Sequence, residues 1–301
     1  MSFLKGQGEH MYTIGIDIGG TKIKFGMLDE KKQLVQIDEI KTPKEEVLET
    51  IIGSIKSIIG ENELKGIGIA TAGIVDVEKG KVTSAANIPA FVNIPLVQKL
   101  EETFHVPVAI ANDANSAALA EGKVGAAVGA DSYICVAIGT GIGGGIIHNG
   151  ELVHGRNGYG GEIGHMIIEP DGRQCGCGRK GCWEAYASGS ALERMIQEDP
   201  VLAKETYHPR DLFENYTKNE SCREIVDAFI EYLSIGISNL QYLFDPEMIV
   251  IGGGVIASGE HWWDKLVEKA ANKSSIPLNL QQAQLKNDAS MIGASFLVPE
   301  R

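Results

Sequence analysis

Two glycine-rich turns, each entered from an apolar strand and left into another strand, constrain this chain more than any other feature. The first is Asp17-Ile18-Gly19-Gly20-Thr21-Lys22, reached from the run Tyr12–Ile16. The second is Gly139-Thr140-Gly141-Ile142-Gly143-Gly144, reached from Tyr133–Ile138. They stand about 120 residues apart, and a strand–turn–strand unit recurring at that distance predicts an internally duplicated α/β unit.

Glycine amides in such turns are free to point at anionic oxygens; Thr21 adds a hydroxyl donor and Lys22 a positive charge. Asp17, at the strand's end, is placed to hold a metal ion directly or through water. The competing reading is a plain hairpin whose aspartate satisfies turn amides. The second turn is no Walker loop, because no Gly-Lys-Ser/Thr follows, and no dinucleotide fingerprint, because a hairpin follows rather than a helix. Two such turns across a cleft would clamp a triphosphate through Gly19, Gly20, Thr21, Gly139, Thr140, Gly141, Gly143 and Gly144. Gly252, Gly253 and Gly254, after the strand Glu247–Ile251, would admit an adenine ring.

Hydrophobic periodicity supplies the frame. Strands are expected at Ile23–Leu28, Leu34–Thr42, Gly66–Ala70, Val106–Ala111 and Asn279–Gln284. Helices are expected at Glu45–Ile59, Pro95–Phe104, Ala114–Val124, Trp183–Gln197, Glu260–Ala271 and Ser290–Leu297. An Asn149-Gly150 hairpin joins Gly145–His148 to Glu151–Val153. Alternating strands and helices, opened by hairpins, predict an α/β protein of two lobes with mixed sheets. Residues 1–10 read as a leader joined to a native start at Met11. Residues 11–110 are expected to form the smaller lobe, joined by a C-terminal helix within 288–301, and residues 111–287 the larger lobe.

Charge narrows the partners. With 27 basic and 40 acidic residues the net charge is −13, and no dense basic run is present, which argues against nucleic acid. No apolar run reaches the ~18 residues of a membrane span, and no signal-peptide core precedes Met11. A cytoplasmic protein is expected. Five cysteines are an odd number for a secreted disulfide scaffold. Cys135 sits in an apolar strand and Cys222 near a helix start.

The other three cysteines belong to His165-x9-Cys175-x-Cys177-x4-Cys182. Three thiols and an imidazole are the number and type for a closed tetrahedral zinc site, which would be structural. An ion there would also fix Glu162 and Glu184, rigid acceptors suited to a polyhydroxyl ligand; as a plainer alternative, Glu184 is a first-turn glutamate favoured by its helix dipole. Asp113, in Ala111-Asn112-Asp113-Ala114-Asn115, lies where a strand passes into a helix, the usual ligand end of an α/β sheet. It is equally well placed to cap that helix.

Taken together, these segments resemble the ROK family of sugar kinases and repressors. The resemblance is carried by Asp17–Lys22, Ala111–Asn115, Ile138–Gly145, Gly161-Glu162-Ile163-Gly164-His165 and Cys175–Glu184, and runs from Tyr12 nearly to the C-terminus. It implies the actin-like, ribonuclease-H-like ATPase fold, two lobes closing over ATP and a hexose, and a homodimer. It implies Asp113 as catalytic base, with Gly73, Asn87, Asn112, Glu162, His165 and Glu184 binding the sugar. His165 would offer one nitrogen to zinc and the other to the sugar, while Asp17 with Mg²⁺ and the two turns would hold the phosphates. Gly181–Gly189 looks most like the family's glucokinases, and Glu184–Gly189 is also similar to N-acetylmannosamine kinases. The expected activity is ATP-dependent phosphorylation of a hexose 6-hydroxyl, glucose first, with N-acetylmannosamine or N-acetylglucosamine next. Ala90-Phe91-Val92 is more apolar than the Gly-Trp-rich loop of glucokinases and leaves fructose and β-glucosides open, as polyphosphate stays open for the donor. A sugar-sensing repressor of the family would need a DNA-binding domain before the first turn, where only 16 residues stand. A non-catalytic sugar-binding protein is the third reading, disfavoured by an intact Asp113 and both turns.

Overall fold

The computed structural model describes residues 11–85, 88–256 and 262–299. Its contacts divide the chain into two compact units. One holds the residues up to Ala120, His154–Tyr159 and those from Asp288 onward; the other holds Glu121–Val153 and Gly160–Asn287.

The first unit is built on β1 (Met11–Ile18), β2 (Lys22–Leu28), β3 (Leu34–Lys41), α1 (Val47–Ile59), β4 (Glu63–Thr71), β5 (Ile74–Asp76), β6 (Lys81–Ser84), α2 (Leu96–Phe104), β7 (Val108–Asn112) and α3 (Asp113–Val124), which runs on into the second unit. Its sheet has the order β3-β2-β1-β4-β7. β1 pairs antiparallel with β2 and parallel with β4, so the sheet is mixed. The apolar spacing of α1 turns Val47, Ile51, Ile55, Ile58 and Ile59 inward, at ~1.5–3 kcal/mol for each fully buried side chain. The C-terminal helix α9 (Ala289–Phe296) lies against β1 and β4. Two paired glycines permit that approach: a Cβ on Gly15 would sit 2.1 Å from the Met291 carbonyl oxygen, and one on Gly68 only 1.8 Å from that of Ala294.

The second unit follows the same plan with β8 (Tyr133–Ile138), β9 (Ile142–His148), β10 (Glu151–Leu152), α4 (Glu184–Ala187), α5 (Gly189–Glu198), α6 (Pro209–Glu214), α7 (Glu220–Phe244), β11 (Met248–Gly252), α8 (Trp263–Asn272) and β12 (Leu280–Gln282). Its sheet order is β10-β9-β8-β11-β12. Strand for strand this matches the first sheet: two hairpins, then two parallel strands, the first beside the opening strand and the second beyond it. The core gathers on Trp183, Phe229, Leu233 and Ile237, all fully buried. The Asn149-Gly150 turn takes positive φ at both residues, 51° and 77°, as a two-residue hairpin requires.

Sequence periodicity located most elements, and the differences have local causes. The helix expected over Trp183–Gln197 is two helices, broken at Ser188, whose extended backbone lets its hydroxyl accept the Ala191 amide and cap α5. The β5–β6 hairpin was not anticipated, because strands this short carry too little alternation. β4 starts at Glu63, before the expected Gly66, because its opening residues pair with Met11 and Tyr12. Residues 257–261, within which the expected helix from Glu260 would begin, lie outside the described residues; α8 itself starts at Trp263.

Candidate active site

In the first unit, the Asp17 turn is closed by the Gly19 amide donating to the Lys22 carbonyl at 3.0 Å and by the Thr42 hydroxyl donating to the Gly19 carbonyl at 2.7 Å. Gly20, Thr21 and Lys22 are exposed at its tip. Lys22 forms an ion pair with Glu39 at 2.7 Å on the neighbouring strand. A second lysine was missed by sequence reasoning. Lys24 stands directly opposite Asp17 in the β1–β2 register, its side chain is only 12% exposed, and its Nζ lies 2.9 Å from Asp288. Counting the hairpin back from its turn would have found it.

At the end of β7, Asn112 and Asp113 divide the roles left open by the sequence. Asn112 Oδ1 accepts the amides of Ala114 and Asn115 at 2.9 and 3.3 Å, so asparagine supplies the helix cap. Asp113 Oδ1 accepts the adjacent Ala114 amide at 2.8 Å. Asn112 Nδ2 donates to the Gly73 carbonyl at 3.1 Å, tying the two residues together. Burial, and then the negative charge of Asp113, push the Asp17 carboxyl up to about 6, against the pull of Lys24 and Lys22. Two hard carboxylates that repel one another in a partly buried setting fit a magnesium-type cation, which favours oxygen donors. Asn87 lies outside the described residues.

In the second unit, the Gly139–Gly141 turn is closed by the Gly139 amide donating to the Gly141 carbonyl at 3.0 Å. Gly143 and Gly144 fall within β9; Gly144 is buried against Ile163 and Gly161, so it seats the Gly161–His165 segment. Gly253, at φ 97°, packs on the end of β8, where a Cβ would meet the Ile138 carbonyl at 2.3 Å. Gly252 closes β11. Beside the turn opens a cavity of about 700 Å³ lined by Gly139, Thr140, Ser190, Arg210, Phe213 and Gly254 among others. That size suits a small-molecule ligand such as a nucleotide. Ser190, His208 and Arg210 at this cavity had no sequence signal, since they lie on segments distant from the glycine motifs.

The ligand atoms of His165, Cys175, Cys177 and Cys182 all lie within 4.8 Å of one another. Cys177 and Cys182 sulfurs are 3.6 Å apart, and His165 Nδ1 is 3.7 Å from Cys175 Sγ. Tetrahedral zinc with Zn–S near 2.3 Å requires sulfur separations of about 3.8 Å, so the donor set fits the ion in number, type and spacing. Hydrogen bonding from Arg179 pulls the Cys177 thiol down to about 6, while burial raises Cys175 and Cys182. His165 turns its other nitrogen, Nε2, toward Glu162 at 3.8 Å. Burial raises the Glu162 carboxyl, offset by His165 and reinforced by Glu184. Glu184, first residue of α4, accepts the Ile142 amide at 3.0 Å through Oε2, and its Oε1 lies 3.5 Å from Cys175 Sγ.

Twin sheets of one topology, each opening on a glycine hairpin suited to phosphate, define an actin-like ATPase fold of the sugar-kinase type. The chain belongs to the ROK family, whose family model matches residues 13–301. It is 34% identical to the glucokinase of Streptomyces coelicolor over 96% of this chain and 98% of that protein. It is 30% identical to an N-acetylmannosamine kinase of Haemophilus influenzae, with 96% of each covered. Among solved structures, a ROK hexokinase from Thermus thermophilus matches with a TM-score of 0.86 at 35% identity, covering 96% of this chain and 98% of that one. A ROK glucokinase from Streptomyces griseus, in complex with glucose and AMPPNP, matches with a TM-score of 0.80 at 32% identity, covering 95% and 99%.

Proposed function

We propose that this protein is an ATP-dependent hexose kinase that transfers the γ-phosphate to the 6-hydroxyl of glucose. The observation that carries the reading is Asp113: a carboxylate at the end of a strand whose helix is capped by its neighbour Asn112. Its position at the carboxyl end of β7 is where α/β sheets place their ligands. Likeness to a glucokinase at 34% identity over 96% of the chain supports the choice of sugar.

In this reading Asp113 accepts the proton of the attacking sugar hydroxyl. An aspartate is a weak base, with an ordinary pKa of ~3.9, so proton transfer comes late and positioning dominates. Asn112, Glu162, His165 and Glu184 hold the sugar hydroxyls, joined by the Gly73 backbone and, as the family resemblance implies, by Asn87. Asn112 has both Oδ1 and one Nδ2 hydrogen engaged by the protein, which leaves a single N–H to donate to a hydroxyl. His165 orients through its Nδ1 toward the sulfur cluster and keeps Nε2 for the ligand side. The turns at Gly19–Lys22 and Gly139–Gly141 offer backbone and hydroxyl donors suited to phosphate, and the cavity of about 700 Å³ beside the second turn, with Gly254 in its lining, suits the nucleoside. Asp17 would hold Mg²⁺, which when bound would neutralise phosphate charge. His165, Cys175, Cys177 and Cys182 would hold Zn²⁺ as a structural ion. The protein works as a homodimer in the cytoplasm, a reducing compartment suited to metal-binding thiols.

A coupled ADP-release assay with Mg-ATP and a panel of glucose, mannose, fructose, N-acetylglucosamine, N-acetylmannosamine and cellobiose tests this. Glucose is expected to give the highest kcat/KM. N-acetylmannosamine or N-acetylglucosamine ranking first would move the protein to the second reading, which likeness to kinases of those sugars at 30% and 35% identity supports. No turnover above the sugar-free control would overturn the kinase reading.

A further inference from the structure

The functional reading leaves one largely buried charge without a task. Lys24 points from β2 to the same face as Asp17, since the two are direct cross-strand partners in an antiparallel pair. Its side chain is 12% exposed, far less than the 52% of Lys22, and it ends 2.9 Å from Asp288 at the start of α9. A lysine is rarely buried unless its charge is needed locally. Asp17 faces it across the hairpin, and Asp17 in turn feels the charges of Asp113 and Asp288 as well as those of Lys24 and Lys22.

We propose that Lys24 is a positioning residue, a fixed internal counter-charge to the Asp17–Asp113 carboxylates that sets how tightly the site takes a divalent cation, and that Asp288 holds it there. The inference rests on the reading of Asp17 as a cation ligand. The protein achieves two things with one ammonium. It offsets the repulsion between two carboxylates in the metal-free state, and it weakens their hold on a cation. Asp288, reached from α9, fixes the ammonium on its strand instead of letting it swing to solvent. This gives the C-terminal helix a part in the site as well as in packing.

The sign of the effect separates this from a structural role. Lys24→Met removes a positive charge, so Mn²⁺ should bind more tightly. Asp288→Asn removes a negative charge and frees Lys24 to act on the site alone, so Mn²⁺ should bind more weakly. Lys24→Arg keeps the charge and should stay near wild type. Binding of Mn²⁺ alone to the full-length protein is measured from the electron paramagnetic resonance signal of the free ion at about pH 8, above the raised Asp17 value of about 6. Opposite shifts of about three- to tenfold are expected in the two charge-removing variants, the size one charge exerts at a partly solvated distance. Equal affinities, or shifts in one direction in both variants, would overturn the inference, as would wild-type protein that binds no Mn²⁺. If Lys24→Met does not fold, Asp288→Asn against Lys24→Arg still decides the sign. Sugar-dependent ADP release by the wild type is run alongside: its absence would reject the kinase reading and leave the order of Mn²⁺ affinities standing.

Discussion

Glu184 accepts the Ile142 amide at 3.0 Å, and a Cβ on the preceding Gly141 would lie 2.0 Å from the same carboxylate oxygen. The turn assigned to phosphate and the glutamate assigned to sugar are thus in direct contact, and Gly141 is the residue that lets them meet. Gly141→Ala is expected to displace Glu184. We expect kcat/KM for the sugar to fall about ten- to hundredfold, the effect of a misplacement on the ångström scale. Unchanged steady-state kinetics in that variant would show that Glu184 does not need its present position.

Removing the base should separate binding from transfer. Asp113→Ala is expected to keep sugar binding within a few-fold by calorimetry while kcat drops by about 10²–10⁴. Turnover near wild type would remove Asp113 from the reaction.

The sulfur cluster reaches the ligand side through His165, whose Nε2 lies 3.8 Å from Glu162. Cys177→Ser should lower the bound zinc measured by atomic emission and weaken sugar binding about tenfold or more, as loss of a metal's supporting geometry does elsewhere. Normal sugar affinity in zinc-free protein would contradict this coupling.

Asp17 gives a pH-dependent signature. Its carboxyl titrates near 6 in the fold against 3.8 as a free group, so between those values the folded protein keeps a proton that the unfolded chain has lost. Metal-free stability should therefore fall as pH rises through that window. A divalent cation displaces the proton, so Mg²⁺ should raise the melting temperature more at about pH 7.5 than at about pH 5. Differential scanning fluorimetry at both values reads the difference; an equal Mg²⁺ shift at each would count against Asp17 as the cation ligand.

Trp183 connects the cluster to the core. It follows Cys182, precedes Glu184, is fully buried, and donates its indole N–H to the Tyr232 carbonyl at 2.9 Å. A Cβ on Gly236 of α7 would sit 2.0 Å from its ring. Gly236→Ala should cost about 1–3 kcal/mol of stability by overpacking, read by urea unfolding. It should also perturb zinc retention, since the neighbours of Trp183 belong to the site.

The sequence carried the repeating frame because strand alternation and glycine turns are local signals. The twin turns, the Asn149-Gly150 hairpin and the four residues gathered into the sulfur cluster could all be read without coordinates. What escaped depends on register and on contacts between distant segments. Asp113 and Asn112 are both good caps by composition, and only the hydrogen bonds of Asn112 decide which one caps α3. Lys24 looks like an ordinary strand lysine until the hairpin sets it opposite Asp17. The cavity beside Thr140 takes Arg210 from a segment that nothing in the sequence links to that turn.

The two sheets share one strand order, but their turns differ in charge: where β1 carries Asp17, β8 carries Ala137, and where β2 carries Lys24, β9 carries Gly143. Because the copies share their strand order, the difference between them is one of side chains alone. The first hairpin sets an ammonium opposite a carboxylate, and the second sets glycine opposite alanine, with no charge of its own at either position.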